Sequence, residues 1–412
     1  MINYTEHTLS NGLTLIIHRD TSTPIVAINI LYNVGARDEE PHRTGFAHLF
    51  EHLMFGGSIN IASYDEPLDK VGGENNAFTS NDITNYYLNL PKQNIETAFW
   101  LESDRMLNLA FSPKSLDVQR NVVMEEFKQR YLNQPYGDVW LLLRPLAYKH
   151  HPYQWSTIGK DLSHIEEATM EEVKAFYSKF YNPTNAILAI AGDVDEKEMI
   201  DMAKKWFGPI PQGEPYHRNL PVEPPQTEPH HMEVTRDVPA NALYKVWHMQ
   251  ARRDPDYHTT DLISDILSNG DSSRLFQSLV KEQKIFNDVN AYITGDFDPG
   301  LFVISGNLND NISYEQAEKA IDIELQKLIT TMVSEDELQK TKNKVESVLL
   351  FSEIKITTKA LNLCIANLLG DTSLINTELD RYLCVTPNKI QSVAKQIFVP
   401  QNCSTLYYKS AK

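Results

Sequence analysis

The chain has few cysteines, a deficit of basic residues and no long apolar run. Its 412 residues contain three cysteines, Cys364, Cys384 and Cys403, which predict neither a disulfide framework nor a cysteine-type zinc site. The formal net charge of −17 argues against nucleic acid as a partner, because the phosphates would be repelled. No apolar stretch approaches the length that a membrane span needs, so no membrane association is predicted.

The N-terminus also lacks the basic segment and apolar run of a signal peptide. A cytoplasmic location is therefore expected, and a periplasmic one if a leader has been trimmed from the sequence. The hydrophobic content of 42% and charged content of 23% are those of a globular protein. A chain of this length is too long for one ordinary core, so two or more domains are expected.

The clearest domain boundary is rich in proline. Residues 209–229 hold seven of the 21 prolines, a composition typical of a stiff, extended linker. The linker predicts an N-terminal domain at 1–208 and a C-terminal domain at 230–412.

The stretch His48-Leu49-Phe50-Glu51-His52 predicts a metal site on a helix. His48, Glu51 and His52 stand at i, i+3 and i+4, so that all three project from one helix face. Two imidazoles one turn apart can bind one zinc ion from the same side, and a carboxylate beside them can take a proton from metal-bound water. The neighbouring residues are mostly apolar, which indicates a buried helix, where unpaired polar groups are costly. A helix with ordinary surface histidines is the alternative.

A second helix is predicted from Ser112 and Pro113 to about Asn133, because serine caps helices and proline suits their first turn. Glu126 lies beside its apolar stripe, so its carboxylate is expected to be paired or metal-bound, whereas Glu125 points towards solvent. From position alone, Glu126 is a candidate third zinc ligand, and a buried salt bridge is the alternative.

A polar, glycine-preceded segment at 72–79 leads to a clear strand at 84–90. Strands of this kind are often sheet edges, and an edge close to a metal can take up a peptide by strand addition. An ordinary hairpin explains the same segment equally well.

The second half repeats the pattern of the first. A strand at 242–248 leads to a helix at 261–270, and matching Gly270 to Gly56 places Leu262 opposite His48 and Ile266 opposite His52. The repeat indicates a duplicated domain in which one copy has core residues in place of the metal ligands.

Over nearly its whole length the chain resembles the pitrilysin family of inverted-motif (H-x-x-E-H) zinc peptidases, which includes insulin-degrading enzyme and the mitochondrial processing peptidase. The resemblance lies in 48–52, in Gly72-Gly73 with 76–79 and 84–87, in 121–126, and in 272–276 of the second half. It implies an α+β fold of two homologous domains, each an antiparallel sheet packed against helices. It also implies that pairs of such chains close as a clamshell into a chamber for peptides.

The family's functional residues can be placed on this chain by position. The resemblance implies His48, His52 and Glu126 as the ligands of one Zn²⁺ per chain, Glu51 as the general base, and Asn76, Ala77 and Phe78 as substrate-binding residues.

Two departures from the family pattern affect the expected activity. Gln119 stands where the family usually has a glutamate that supports the ligand glutamate, so zinc affinity is expected to be lower. Val280 and Asn287 stand where active members have an arginine and a tyrosine. We therefore expect a metallopeptidase subunit that works as a heterodimer with a homologous chain carrying that pair. A homodimer and a non-catalytic structural subunit are the alternatives.

Overall fold

A computed structural model describes residues 1–411, which divide into two compact units. The first unit comprises Met1–Leu132, Trp155–Pro221 and Leu350–Thr377. The second comprises Asn133–Gln154, Val222–Leu349 and Glu378–Lys412. The passage from the first unit to the second near Pro221 lies within the proline-rich segment, of which residues 211–228 form neither helix nor strand.

The strands are β1 Thr5–Thr8, β2 Thr14–Arg19, β3 Ile25–Tyr32, β4 Glu74–Thr79, β5 Thr84–Pro91, β6 Ala186–Gly192, β7 His230–Arg236, β8 Ala242–His248, β9 Phe286–Ile293, β10 Leu301–Leu308 and β11 Cys403–Ser410. The α-helices are α1 Phe46–Leu53, α2 Asp65–Lys70, α3 Ile95–Asn108, α4 Pro113–Phe127, α5 Val139–Ala147, α6 Leu162–Glu166, α7 Met170–Phe180, α8 Glu196–Trp206, α9 Tyr257–Ser268, α10 Tyr314–Thr330, α11 Glu335–Ser352, α12 Ile356–Leu368, α13 Leu374–Leu383 and α14 Pro387–Ile397. Two π-helical turns cover Lys128–Leu132 and Phe276–Glu282.

The first unit is built on a six-stranded sheet of order β1-β2-β6-β3-β5-β4. Its central strand β3 is apolar on both faces and buried along nearly its whole length, as expected for a strand covered on both sides. One face packs against α1, which lies between β3 and β4 in the chain. Helix α12 packs on β3 and β6.

Small side chains let α12 approach the sheet closely. Ala27 on β3 and Ala189 on β6 lie on the same face as Asn29, and both are fully buried. The amide of Asn29 donates to Cys364 on α12 and forms a reciprocal pair with Asn85, with N···O distances of 2.8 and 2.9 Å. The buried amides are therefore satisfied, which offsets the cost of burying them.

The second unit has a five-stranded sheet of order β7-β11-β8-β10-β9. Strand for strand this is the order β2-β6-β3-β5-β4 of the first unit, and α9 lies between β8 and β9 as α1 lies between β3 and β4. Leu262 and Ile266 of α9 are buried in the core, so the residues matched to His48 and His52 serve packing. The duplicated α+β fold predicted from the sequence is confirmed.

Two details differ from the expected pattern. Each sheet contains one parallel pair, β2 with β6 and β7 with β11, because β6 and β11 each return from a long connection to lie beside the first long strand of their unit. The units also exchange segments across the predicted boundaries of 1–208 and 230–412, since α12 belongs to the first unit and α5 to the second. Both helices cover a sheet face that would otherwise expose apolar residues. No helix among residues 1–411 is long and apolar enough to span a bilayer.

Candidate active site

The motif helix α1 begins without a capping side chain of its own. Gly45 at its N-terminus has φ +89°, and a Cβ there would lie 2.8 Å from the carbonyl oxygen of Ile158. Glu39 fills the role of the cap, because its carboxylate accepts the backbone N–H groups of Gly45 and Ala47 at 2.9 and 2.8 Å. Burial raises the pKa of Glu39 to about 8, although both backbone donors act in the opposite direction.

Three side chains from two helices converge on one point. Nε2 of His52 lies 3.3 Å from Nε2 of His48, and Oε2 of Glu126 lies 3.6 Å from the first histidine of the motif and 3.5 Å from the second. Helix α1 supplies both imidazoles, and α4, which packs against it, supplies the carboxylate. Among residues 1–411 this is the one group of three His, Cys, Asp or Glu side chains with potential ligand atoms within 4.8 Å of one another.

These separations fit a zinc ion. Ligand atoms about 2.0–2.1 Å from a tetrahedral zinc ion lie about 3.3–3.4 Å from one another, which is close to the three distances observed. Two imidazole nitrogens and one carboxylate oxygen leave a fourth position open for water, as in catalytic rather than structural zinc sites. The donor set and its geometry therefore suit zinc.

The charge states of the ligands also favour metal binding. Burial, together with the neighbouring His52, lowers the pKa of His48, so that imidazole is neutral near pH 7. The hydrogen bond from His52 lowers the pKa of Glu126, so this carboxylate is ionised. Neutral imidazole and ionised carboxylate are the forms that bind metal. Nδ1 of His48 is buried and has no hydrogen-bond partner in the described part of the chain, so packing rather than a second hydrogen bond orients this ring.

The structure separates the two adjacent glutamates of α4. The side chain of Glu125 is 55% exposed, whereas that of Glu126 is 18% exposed. Arg130, in the π-helical turn that follows α4, contacts Oε1 of Glu126 at 2.7 Å and leaves Oε2 directed at the histidines. The exposed arginine thus fixes which carboxylate oxygen faces the candidate metal position.

Glu51 lies on α1 between the two histidines and is held by the edge strand. The hydroxyl of Thr79 donates to Oε2 of Glu51 at 2.6 Å. Burial raises the pKa of Glu51, and this hydroxyl opposes the shift. A carboxylate with a raised pKa, fixed in one orientation, is suited to accept and return a proton.

Strand β4 lies at the edge of the first sheet and pairs with β5. It contains Asn76, Ala77 and Phe78, the residues expected to bind substrate. Thr79, at its end, connects the strand to Glu51, so the edge and the candidate base lie side by side.

A buried ion pair is connected to the motif helix α1 through a tyrosine. Arg105 donates to both carboxylate oxygens of Glu102 at 2.9 and 2.7 Å, and the two residues are 2% and 1% exposed. The guanidinium lies 4.5 Å from the ring centre of Tyr64 and 4.4 Å from that of Tyr86. The hydroxyl of Tyr86 in turn reaches the carbonyl oxygen of Phe50 in α1 at 3.5 Å.

The residues that depart from the family pattern have ordinary surroundings. Gln119 is half-buried on α4, two turns before Glu126. Val280 packs against the apolar core of the second unit, and the exposed Asn287 donates to the carbonyl oxygen of Leu308 at 3.4 Å. Neither side chain can provide the charge of an arginine or the acidic hydroxyl of a tyrosine.

Three contributors to the site were missed from the sequence, namely Glu39, Thr79 and Arg130. Glu39 caps a helix from outside it, so no capping pattern reveals its role. Thr79 belongs to the polar segment at 72–79, whose composition does not single this residue out. Arg130 stands four residues after Glu126, a spacing that does predict a helical ion pair and could have identified it.

The structure thus defines a duplicated two-unit α+β protein with a three-ligand candidate metal site in one copy. Residues 14–159 match the family model described as insulinase (peptidase family M16), and residues 167–345 match that of the peptidase M16 inactive domain. The chain therefore belongs to peptidase family M16, as the resemblance of its motifs predicts.

Its relatives include named proteases. The zinc protease PqqE of Helicobacter pylori is 29% identical over 344 residues, which cover 81% of this chain and 77% of that protein. The mitochondrial-processing peptidase subunit beta of Saccharomyces cerevisiae is 28% identical over 209 residues, which cover 50% of this chain and 45% of that protein. The crystal structure of a protease from Helicobacter pylori superposes with a TM-score of 0.93 at 26% identity, covering 99% of this chain and 100% of that one.

Proposed function

We propose that this chain is the catalytic subunit of a zinc-dependent endopeptidase, which hydrolyses peptide bonds in short or unfolded peptides. The observation that supports the proposal most is the convergence of His48, His52 and Glu126 at separations of 3.3–3.6 Å, with Glu51 on the same helix. Costly half-buried polar groups in this arrangement would have no purpose in a purely structural subunit. The names of the zinc-protease relatives agree with it.

Each side chain has a distinct role in this proposal. A zinc ion held by the three ligands would polarise the scissile carbonyl and lower the pKa of bound water. Glu51 accepts the proton of the attacking water and returns it to the leaving amine, since the pKa of this carboxylate is raised towards neutrality by burial. Thr79 keeps the carboxylate in place. The main chain of β4 holds an extended peptide by strand addition.

Three variants with one control test these roles. Glu51→Gln should keep zinc and lose nearly all cleavage of a quenched fluorescent peptide, because only the base is removed. Glu126→Gln should instead lower the zinc content, because it changes a metal ligand, and activity should fall as a result. Glu125→Gln is the matched control, since its side chain is largely exposed, and should change neither quantity. Zinc content is measured by mass spectrometry after gentle purification.

Loss of zinc from Glu51→Gln, or full zinc occupancy in Glu126→Gln, would show that base and ligand are assigned wrongly. A zinc-loaded parent chain that cleaves no peptide, alone or with any homologous chain, would instead support the structural subunit as its function.

We further propose that the working enzyme is a heterodimer enclosing a chamber. Val280 and Asn287 cannot replace the arginine and tyrosine that active relatives are expected to use, whereas the metal-binding half is complete. One relative, the yeast protein, is by its name a subunit of a larger peptidase. Donors that stabilise a developing oxyanion typically contribute about 2.7–4 kcal/mol, so a partner that supplies them should raise the rate strongly. A cytoplasmic location stays a prediction.

Mixing experiments test the partner. A homologous chain that carries the arginine and tyrosine should raise the cleavage rate of this chain by at least about tenfold, which is about 1.4 kcal/mol of barrier. Equal rates with and without every such partner would contradict the heterodimer and favour the homodimer.

A further inference from the structure

The first unit has a cleft on the sheet face opposite α1, beside the edge strand β4. Its volume is about 760 Å³, within the range of small-ligand sites. The apolar part of its wall consists of Ile25, Phe78, Tyr87, Ile354, Ile356 and Leu361. We refer to it as the β4 cleft.

Three polar residues of the β4 cleft, Glu74, Asn89 and Thr357, are hydrogen-bonded to one another. The hydroxyl of Thr357 donates to Asn89 at 2.7 Å, and the amide of Asn89 donates to Glu74 at 3.0 Å. This chain of hydrogen bonds ties the start of α12 to β5 and β4. Because these three groups have partners and six apolar side chains form the rest of the wall next to β4, an apolar ligand suits this part of the cleft.

Exposed apolar side chains lie on the segment that leads into the cleft wall. Leu350, Phe351 and Ile354 are 54%, 69% and 70% exposed, and Ile354 lines the cleft itself. Three large apolar side chains are thus exposed within five residues of one another, and the last of them is part of the cleft wall; exposed apolar side chains grouped in this way commonly mark a binding site.

The alternation of side chains along β4 indicates that the ligand is an extended peptide. Successive side chains of a strand point to opposite faces, so Thr79 contacts Glu51 on one face while Glu74 and Phe78 line the cleft on the other. A peptide strand added to this edge would alternate in the same way. Its side chains opposite Phe78 would lie about 5 Å away and would enter the cleft.

We propose that the β4 cleft is a specificity site for large apolar side chains of the peptide, such as those of Phe, Leu and Met, at every second position. The inference rests on the proposed function, because that function brings the peptide to β4. It adds a selection that does not involve the metal ligands: residues on one face of the bound strand meet Glu51, and residues on the other face meet the cleft.

Position-scanned peptides test the alternation. In peptides whose cleaved bond is mapped by mass spectrometry, replacing Ala by Phe or Leu should raise kcat/KM about tenfold at one position, or at two positions two residues apart. A preference at adjacent positions, or none at any position, would overturn the proposal.

Two pairs of variants place the effect in the cleft. Thr358→Trp, on the cleft wall, should reduce the ratio of kcat/KM for Phe and Ala peptides several-fold, whereas Thr377→Trp, on an exposed helical position that does not line the cleft, should leave the ratio unchanged. Ile354→Asp should shift the preference from Phe to Lys, and Ile59→Asp, at an equally exposed isoleucine, should not. The second pair changes only exposed positions, so it remains informative if the tryptophan variant does not fold.

Peptide-binding measurements distinguish the proposed specificity of the cleft from the proposed peptidase function. Peptide affinities of the zinc-loaded Glu51→Gln chain, measured by fluorescence anisotropy of labelled peptides, should follow the same order as the kcat/KM values expected for the parent: peptides with Phe or Leu at the preferred position should bind more tightly than those with Ala. If the parent cleaves no peptide but the variant shows this order of affinities, only the proposed peptidase function is contradicted. If the parent cleaves peptides but the variant binds all of them equally well, only the proposed role of the cleft is contradicted. If Thr358→Trp changes the sedimentation of the protein but not the peptide ratio, the cleft is a subunit contact and the proposal fails.

Discussion

Replacing Arg105 by methionine should destabilise the first unit strongly. Glu102 would remain 1% exposed without its bidentate partner, and breaking a buried ion pair in this way typically costs about 3–5 kcal/mol. Methionine retains much of the apolar contact with the rings of Tyr64 and Tyr86, and the hydroxyl of Tyr64 still donates to Glu102, so the loss reflects the missing countercharge rather than a cavity. The assay is the free energy of unfolding from urea titration at fixed zinc concentration.

Two controls separate charge from packing. The double variant Glu102→Gln with Arg105→Met removes both charges and should recover more than half of the loss. Arg236→Met breaks an ion pair with Asp138 in which the arginine is 45% exposed, and Asp138 keeps the hydrogen bond from Tyr408, so the change should cost at most about 1 kcal/mol. If Arg105→Met costs no more than Arg236→Met, or if the double variant is no more stable than the single one, the reasoning about the buried pair is refuted.

Three further outcomes are expected. Thr79→Val removes the hydroxyl that lowers the pKa of Glu51, so kcat should fall about tenfold at unchanged zinc content and the acid limb of the pH–rate profile should move to higher pH; an unmoved limb contradicts this role. Gln119→Glu should leave zinc affinity, measured by chelator competition, equal or higher, and a clear drop would be evidence against a supporting role. Burial alone would raise the pKa of Glu378, but His258 and Arg252 hold it at about 2, below its ordinary value, so its stabilising contribution is full above about pH 4.5 and is lost as the pH falls towards 2. The stability advantage of the parent over Glu378→Gln should shrink across that window, and a constant difference would contradict it.

The candidate site was largely predictable because its pattern is local. His48, Glu51 and His52 need only helical spacing to share a face, and Glu126 needed only its place beside an apolar stripe. The distances between their ligand atoms were not predictable, because α1 and α4 meet through packing that no short stretch of sequence records. The same holds for Glu39, whose role depends on a loop folding back over the start of α1.

The fold was predictable where the hydrophobic period was regular and was missed where polar residues are buried. Helix α4 follows its apolar stripe, and strands β5 and β8 lie where strands are expected at 84–90 and 242–248. Helix α3 was missed because Glu102, Ser103, Asp104 and Arg105 are buried in succession, which resembles a solvent-exposed segment. The placement of α12 on the first sheet was missed because its partner strands lie more than 160 residues earlier in the chain.

The placement of α12 has a consequence for synthesis on the ribosome. Strand β6 ends at Gly192, but the helix that covers β3 and β6 ends only at Leu368, 176 residues later (368 − 192). At about 5–20 residues per second the nascent chain carries an open sheet face for roughly 9–35 s. During that interval Ala27, Leu31 and Ala189 are accessible to chaperones and to other nascent chains. If the gene were divided at the proline-rich segment, the N-terminal half would contain β3 and β6 but not α12, and its sheet face would stay open. We therefore expect each half to be soluble only when the other half is produced with it.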